Sequence, residues 1–457
     1  MFMIILSFQM FQMSLPTDRQ LAWQEMDQYV LVHFTPTTFE NKEWGYGDAD
    51  PAIFNPSQFD ASQIAQAAKD GEFKGLILVA KHHDGFCLWP TKTTPYNISR
   101  SPWRSGKGDM VKEFSDACRK AGLKFGVYCS PWDRNHPEYG RPSYVATYRE
   151  QLRELYTGYG ELFMSWHDGA NGGDGYYGGA KETRTIDRGT YYGWDITWAL
   201  TRQLQPNAVI FSDIGPDVRW VGNEHGEAAF NSWATFTPKP VGGKASFGPG
   251  EIEYDNSPTG TKGGAAWIPA ECDVPHRPGW FYHPEQDSKV KTPEQLFDLY
   301  LKSVGRGACL NLGLAPDTRG ILHENDVASL RGFGELVRSR FAVNLAASAK
   351  EILVDGKHQR GAPLLDKGRY SELEGKVFEV QFASALPVKY VRFRENIKLG
   401  HRIESWAVSA LVDGAWVEVS AGESVGACRI EALPEGMKAS SVRVVISGPG
   451  LSDLGVF

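Results

Sequence analysis

Polar side chains that follow directly on short apolar runs are where this chain could do chemistry. His33 and Thr35 follow YVLV, and His82, His83 and Asp84 follow LILVAK. Tyr128 closes KFGV, with Trp132 and Asp133 just beyond. Trp166, His167 and Asp168 follow LFMS, and a Gly-rich stretch begins at Gly169. Asp213 follows AVIFS, with Arg219, Trp220 and Glu224 close behind, and Glu43 stands beside Trp44. Two carboxylates on different strand ends suit cleavage of a glycosidic bond. One protonates the leaving oxygen while the other attacks or activates water. The two need unlike environments, so that one stays ionised and the other keeps its proton. An acid beside an indole suits gripping a sugar hydroxyl while stacking on its apolar face. Spacing alone does not choose the pair, because Glu43, Asp84, Asp133, Asp213, Glu227 and Glu271 compete with Asp168 and Glu224. His82, His83 and Asp84 also have the donor chemistry of a metal site, though no HExxH spacing accompanies them. A metal-dependent barrel hydrolase and a non-catalytic sugar-binding protein are therefore the competing readings.

These residues need a scaffold that brings strand ends together. Apolar runs at 29–35, 75–82, 124–130, 161–166, 208–213 and 308–314 read as strands. Amphipathic stretches at 61–72, 109–122, 144–159, 195–205, 292–304 and 324–341 read as helices between and after them, with weaker strand candidates at 218–221 and 265–269. Strand-then-helix alternation implies parallel strands with crossover helices. The number of units predicts a (β/α)8-like barrel, whose pocket lies at the C-terminal strand ends. The pattern changes after residue 343 to short alternating runs at 377–382, 388–393, 405–412, 415–420 and 442–447, which predict an antiparallel β-sandwich. The expected organisation is a mobile tail or remnant export signal over 1–20, a barrel over 21–343 and a sandwich over 344–457.

Composition narrows the classes. The chain has 457 residues, 42% of them hydrophobic, enough to bury a large core. A formal net charge of -7 argues against a nucleic-acid partner, which requires a basic face. Fourteen Trp are a mild carbohydrate signal, since indole faces stack on sugar C–H surfaces. Six scattered Cys match no zinc spacing and read as buried thiols. The apolar stretch at residues 1–13 is too short to span a bilayer and lacks the basic start and small-residue cleavage site of an export signal. No other segment reads as a membrane span. A periplasmic or secreted location is expected mainly from the substrate class, and oligomeric state does not follow from the sequence.

The motifs VHFTPTTF, ENKEWGYG, KHHDGFCLW, GVYCSPWD, SWHDGANG, RWVGNE and RGACLNLGLAPDTRG, in this order, resemble the α-L-fucosidases of glycoside hydrolase family 29. The resemblance runs from about Trp23 to the C-terminus. HDGANG, RWVGNE and the insertion at 172–192 resemble the branch acting on α-1,3/1,4-linked fucose in Lewis-type glycans. It implies Asp168 as nucleophile, Glu224 as acid/base, and His33, Glu43, Trp44, His82, His83, Tyr128 and Trp166 as fucose-binding residues. Arg219 and Trp280 are implied as pocket neighbours. No metal or organic cofactor is implied, and the expected partner is a fucosylated oligosaccharide or glycoconjugate. His167 departs from the Phe that many family members carry there.

Overall fold

The computed structural model describes residues 13–359 and 369–457. Eight parallel strands form the first sheet: β1 (Gln28–Val32), β2 (Gly75–Lys81), β3 (Lys124–Cys129), β4 (Met164–Trp166), β5 (Val209–Phe211), β6 (Arg219–Trp220), β7 (Ala270–Pro275) and β8 (Cys309–Leu314). They lie in the order β5-β4-β3-β2-β1-β8-β7-β6, and a bridge between Phe211 and Val218 brings the two ends together. This is a nearly closed (β/α)8-like barrel.

The strands are buried on both faces, as parallel strands wrapped by helices must be. Alternation sorts their side chains. Tyr29, Leu31, Ile77 and Val79 fill the barrel interior, whereas Val30, Val32, Leu76 and Leu78 pack outward on the helix layer. The helices are α1 (Asp18–Gln24), α2 (Ala61–Asp70), α3 (Met110–Ala121), α4 (Pro142–Gly158), α5 (Trp194–Leu204), α6 (Pro293–Lys302) and α7 (Glu324–Arg340). Their starts are encoded locally. Asp60 caps α2, Asp109 caps α3, and Thr292 forms a capping box with Gln295 on α6.

Two sequence expectations need correction. Residues 265–269 contribute no barrel strand: Ala266–Trp267 pairs antiparallel with Thr235–Phe236 in a separate two-stranded sheet, and the barrel strand is the next segment, β7. Residues 1–12 of the expected tail lie outside the described residues, but its end is built into the fold. Thr17 caps α1, and the buried Gln20 side chain donates to the carbonyls of Asp217 and Trp267.

The C-terminal part is antiparallel: β9 (Glu351–Val354), β10 (Val377–Pro387), β11 (Tyr390–Arg394), β12 (Trp406–Val412), β13 (Ala415–Gly422), β14 (Arg429–Ala432), β15 (Lys438–Ile446) and β16 (Asp453–Val456). One sheet orders β9-β10-β15-β12-β13 and the other β14-β11-β16. Phe378, Val380, Phe393, Trp406, Val408, Val442 and Val444 join in one core, as a β-sandwich requires.

Candidate active site

A cavity of about 330 Å³ opens at the C-terminal strand ends. Alternation along β1 carries His33 into it. On β2 the register against β3 slips between Val79 and Lys81. This bulge sends Lys81 outward to Tyr144 and Gln151 of α4, and lets His82 and then His83 reach the cavity. Tyr128, Trp166 and Phe211, from the ends of β3, β4 and β5, form a continuous stack with centroids 4.8 and 4.2 Å apart. Trp44 covers the mouth, 48% exposed, and meets the His83 ring edge to face with centroids 5.0 Å apart. Trp280 packs on His33 at 5.2 Å.

Asp168 follows β4 directly. Its Oδ2 accepts from the Tyr128 hydroxyl at 2.8 Å, its Oδ1 accepts from the Ala170 amide at 2.6 Å, and His83 Nε2 stands 3.7 Å away. Burial pushes its pKa up, and the two hydrogen bonds pull it part of the way back. Glu224, four residues past β6, lines the same cavity from a more exposed position. Desolvation raises its pKa, a Trp280 hydrogen bond opposes this, and the Asp168 charge adds to the rise. The histidines are neutral. Burial lowers His33 and His83 to about 3 and takes His82 well below its usual range. Neutral rings can both donate to and accept from sugar hydroxyls.

The competing carboxylates divide cleanly. Asp84 accepts from Thr35 and Thr37, away from His82 and His83, so this run does not converge as a ligand set. Among the described residues no group of three or more His, Cys, Asp or Glu side chains is arranged to hold a metal. Asp133 pairs with Lys81, and Glu227 with Lys302. Glu271 is fully buried beneath the cavity, where it accepts from Tyr29, Trp166 (2.8 Å) and Asn311 (3.0 Å), and burial lifts it to about 7. Asp213 does line the cavity.

One residue implied as a pocket neighbour is placed elsewhere. Arg219 does not line the cavity. It is fully buried and donates to the carbonyls of Ser257, Ile268 and Trp233, because a charge inside the sheet is satisfied by the backbone of the long loop crossing it. Glu43 stands at the edge of the site beside Trp44: its carboxylate accepts from the amides of Trp280 and Phe281 and meets His283, so it holds the loop that presents Trp280, and its charge adds to the rise of Glu224. His167 turns away into the helix layer, between Tyr148 and Ser165. Asp273 is the residue that sequence reasoning missed. It lines the cavity and accepts from Trp220 Nε1 at 2.6 Å, and desolvation and Glu271 hold it well above the usual carboxylate range. Glu271 and Asp273 alternate on β7, a two-residue spacing that puts both on one face.

Carboxylates at different strand ends of a parallel barrel, in a cavity walled by His, Tyr and Trp, define a glycoside hydrolase of the barrel class. Residues 10–340 match the family model described as alpha-L-fucosidase. Alpha-L-fucosidase 1 of Arabidopsis thaliana is 37% identical over 97% of this chain and 87% of its own. Among solved structures, a glycoside hydrolase 29 family member from an unknown rumen bacterium is similar at 39% identity and TM-score 0.87, covering 97% of this chain and 77% of that one. A Ruminococcus gnavus GH29 fucosidase in complex with fucose is 27% identical with TM-score 0.83, covering 97% and 95%. The chain belongs to the α-L-fucosidase family, glycoside hydrolase family 29, and is a glycoside hydrolase acting on α-L-fucosides.

Proposed function

We propose that this fucosidase works with retention of configuration and releases α-L-fucose from α-1,3/1,4-fucosylated, Lewis-type oligosaccharides or glycoconjugates. The observation that carries the reading is that Asp168 and Glu224 line one cavity from separate strand ends. Asp168 attacks the anomeric carbon and Glu224 gives its proton to the departing oxygen. A covalent fucosyl ester forms on Asp168, and Glu224 then takes a proton from the incoming water. The Tyr128 hydroxyl and Ala170 amide hold the attacking carboxylate in place. His33, His82 and His83 meet the fucose hydroxyls, and the aromatic stack under the cavity takes the apolar face and C6 methyl. The fucose complex of the Ruminococcus gnavus relative supports the sugar. The HDGANG and RWVGNE motifs and the insertion at 172–192 support the linkage. An extracytoplasmic site of action belongs to the same proposal, and cell fractionation tests it.

The decisive experiment is azide rescue. Asp168→Gly should be inactive alone and should form fucosyl azide of anomeric configuration opposite to the substrate when azide is added. Rescue of Glu224→Gly but not Asp168→Gly with that product would exchange the two roles. Unimpaired hydrolysis by Asp168→Gly would reject the mechanism.

A further inference from the structure

Two long loops rise over the barrel, one after β4 (167–193) and one between β6 and β7 (221–269), and they meet along a seam beside Asp168. Gly250 is gripped from both sides of the seam. Its amide donates to Asp213 Oδ2 at 2.6 Å, and its carbonyl accepts from Arg188 Nη1 at 2.5 Å. The same guanidinium reaches the first loop, where Nε donates to Asn171 Oδ1 at 2.8 Å and Nη2 to the Asn171 carbonyl at 3.2 Å. Tyr254 donates to the same Asp213 oxygen at 2.5 Å. The fit excludes side chains. Gly250 has φ +87°, and a Cβ there would strike the carbonyl oxygen of Gly169. A Cβ on Gly169 would strike the Asp213 carboxylate, and one on Gly248 the Arg188 carbonyl. Arg188 makes no ion pair among the described residues, so its planar fork serves geometry rather than charge neutralisation. Asp213 is 4% exposed and its Oδ1 has no side-chain or backbone partner among the described residues.

We propose that Arg188 and Asp213 are positioning residues that clamp Gly250 against Gly169, and so build the cavity wall on which the sugar leaving fucose must rest. Arg188, Asp213, Gly250 and Tyr254 all line the cavity together with Glu224. On the reading of Glu224 given above, on which this inference rests, the departing oxygen lies within its reach, and the departing sugar therefore lies along this wall. The His33, His82 and His83 half of the barrel is left to fucose itself. The clamp matters most for substrates whose leaving group is large enough to touch the wall.

The test compares kcat/KM on a small aryl α-L-fucoside with kcat/KM on a fucosylated oligosaccharide that the unaltered enzyme cleaves. Arg188→Ala and Asp213→Ala should each lose about tenfold more on the oligosaccharide than on the aryl fucoside, since displacing a substrate by about 1 Å costs on the order of a hundredfold. Arg188→Lys should behave like Arg188→Ala, because one ammonium cannot reproduce the fork spanning Asn171 and Gly250. It also replaces Arg188→Ala in the comparison if that variant does not fold. Asp213→Asn keeps an acceptor for Gly250 and Tyr254 and should restore most of the discrimination. Equal losses on both substrates, or full rescue by Arg188→Lys, would overturn the clamp. Cleavage of other linkages alone would sink the α-1,3/1,4 reading and leave the clamp to be scored on the oligosaccharide that is cleaved. Fucose release from no oligosaccharide at all would remove both.

Discussion

Catalysis by one carboxylate and one carboxylic acid asks the protein to hold two similar groups in opposite protonation states. Asp168 is stabilised as a carboxylate by two donors, the Tyr128 hydroxyl and the Ala170 amide. Glu224 lies nearer the mouth and its proton is retained by desolvation and by the Asp168 charge. Both groups are raised above their usual values, so the pH profile of kcat/KM should be bell-shaped and displaced upward at both limbs. On the proposed roles, activity should fall on the acid side as Asp168 gains its proton, and on the basic side as Glu224 loses its own. Burial lowers His33 and His83 to about 3 and His82 well below its usual range, so the cavity histidines should add no limb near neutrality. Glu224→Gln measured with an aryl fucoside of good leaving group should keep the acid limb and lose the basic one. A basic limb that survives the substitution would assign it to another group, with Asp213, lifted to about 6 by burial, the first to examine.

The elements place these groups through register as much as through sequence. Lys81 is the pivot of the β2 bulge. It is fully buried and reaches Gln151 at 2.8 Å, Tyr144 at 2.9 Å and Asp133 at 3.4 Å. Burial would lower its pKa, but Asp133 holds it above the usual lysine value. Lys81→Ala leaves the Asp133 charge buried and unpaired, which should cost roughly 3–5 kcal/mol in denaturant unfolding. It should also lower turnover beyond that loss by releasing His82 and His83. Full activity in a destabilised Lys81→Ala would show that the bulge does not aim the histidines. Strands such as LILVA were legible in the sequence because burial on both faces leaves an uninterrupted apolar run. β7 was not legible, since Glu271 and Asp273 point inward from AECDVP and break the hydrophobic signal. That His33, His82, His83, Tyr128, Trp166 and Asp168 would come together was legible because each ends or follows a strand that could be read. Arg219 was misplaced because adjacency to a strand or a Trp does not tell whether a charge faces ligand or backbone. That depends on the fold of loops far away in the chain.

The sandwich is built into the working half of the molecule. Tyr390, Cys428, Ile430 and Phe457 belong to the same buried cluster as the barrel's helix layer, with Phe457 5.1 Å from Phe341 and Tyr390 5.7 Å from Phe297. Across the boundary Arg369 bonds Asp27 at 2.7 Å, and the Ala234 amide donates to His401 at 2.9 Å. The Ser232 amide donates to Ser424, also at 2.9 Å. These last contacts fall on the loop that leaves β6 with Glu224, so the sandwich serves as an abutment for the loop that carries Glu224. Arg429 is the keystone: it donates to the Phe230 carbonyl, stacks on the Phe230 ring at 4.1 Å and pairs with Glu431 at 2.5 Å. Arg429→Ala leaves the buried Glu431 without its ion-pair partner and should cost roughly 3–5 kcal/mol. Because one buried cluster spans both parts, barrel and sandwich should still unfold in a single transition, at lower denaturant. The loss should reach the site as well, with kcat falling more than KM rises, since the cavity side chains at the ends of β1 to β4, proposed above to hold fucose, are untouched. Two separate unfolding transitions, or a destabilised variant with unchanged kcat, would show that the sandwich is only attached to the barrel and does not brace it.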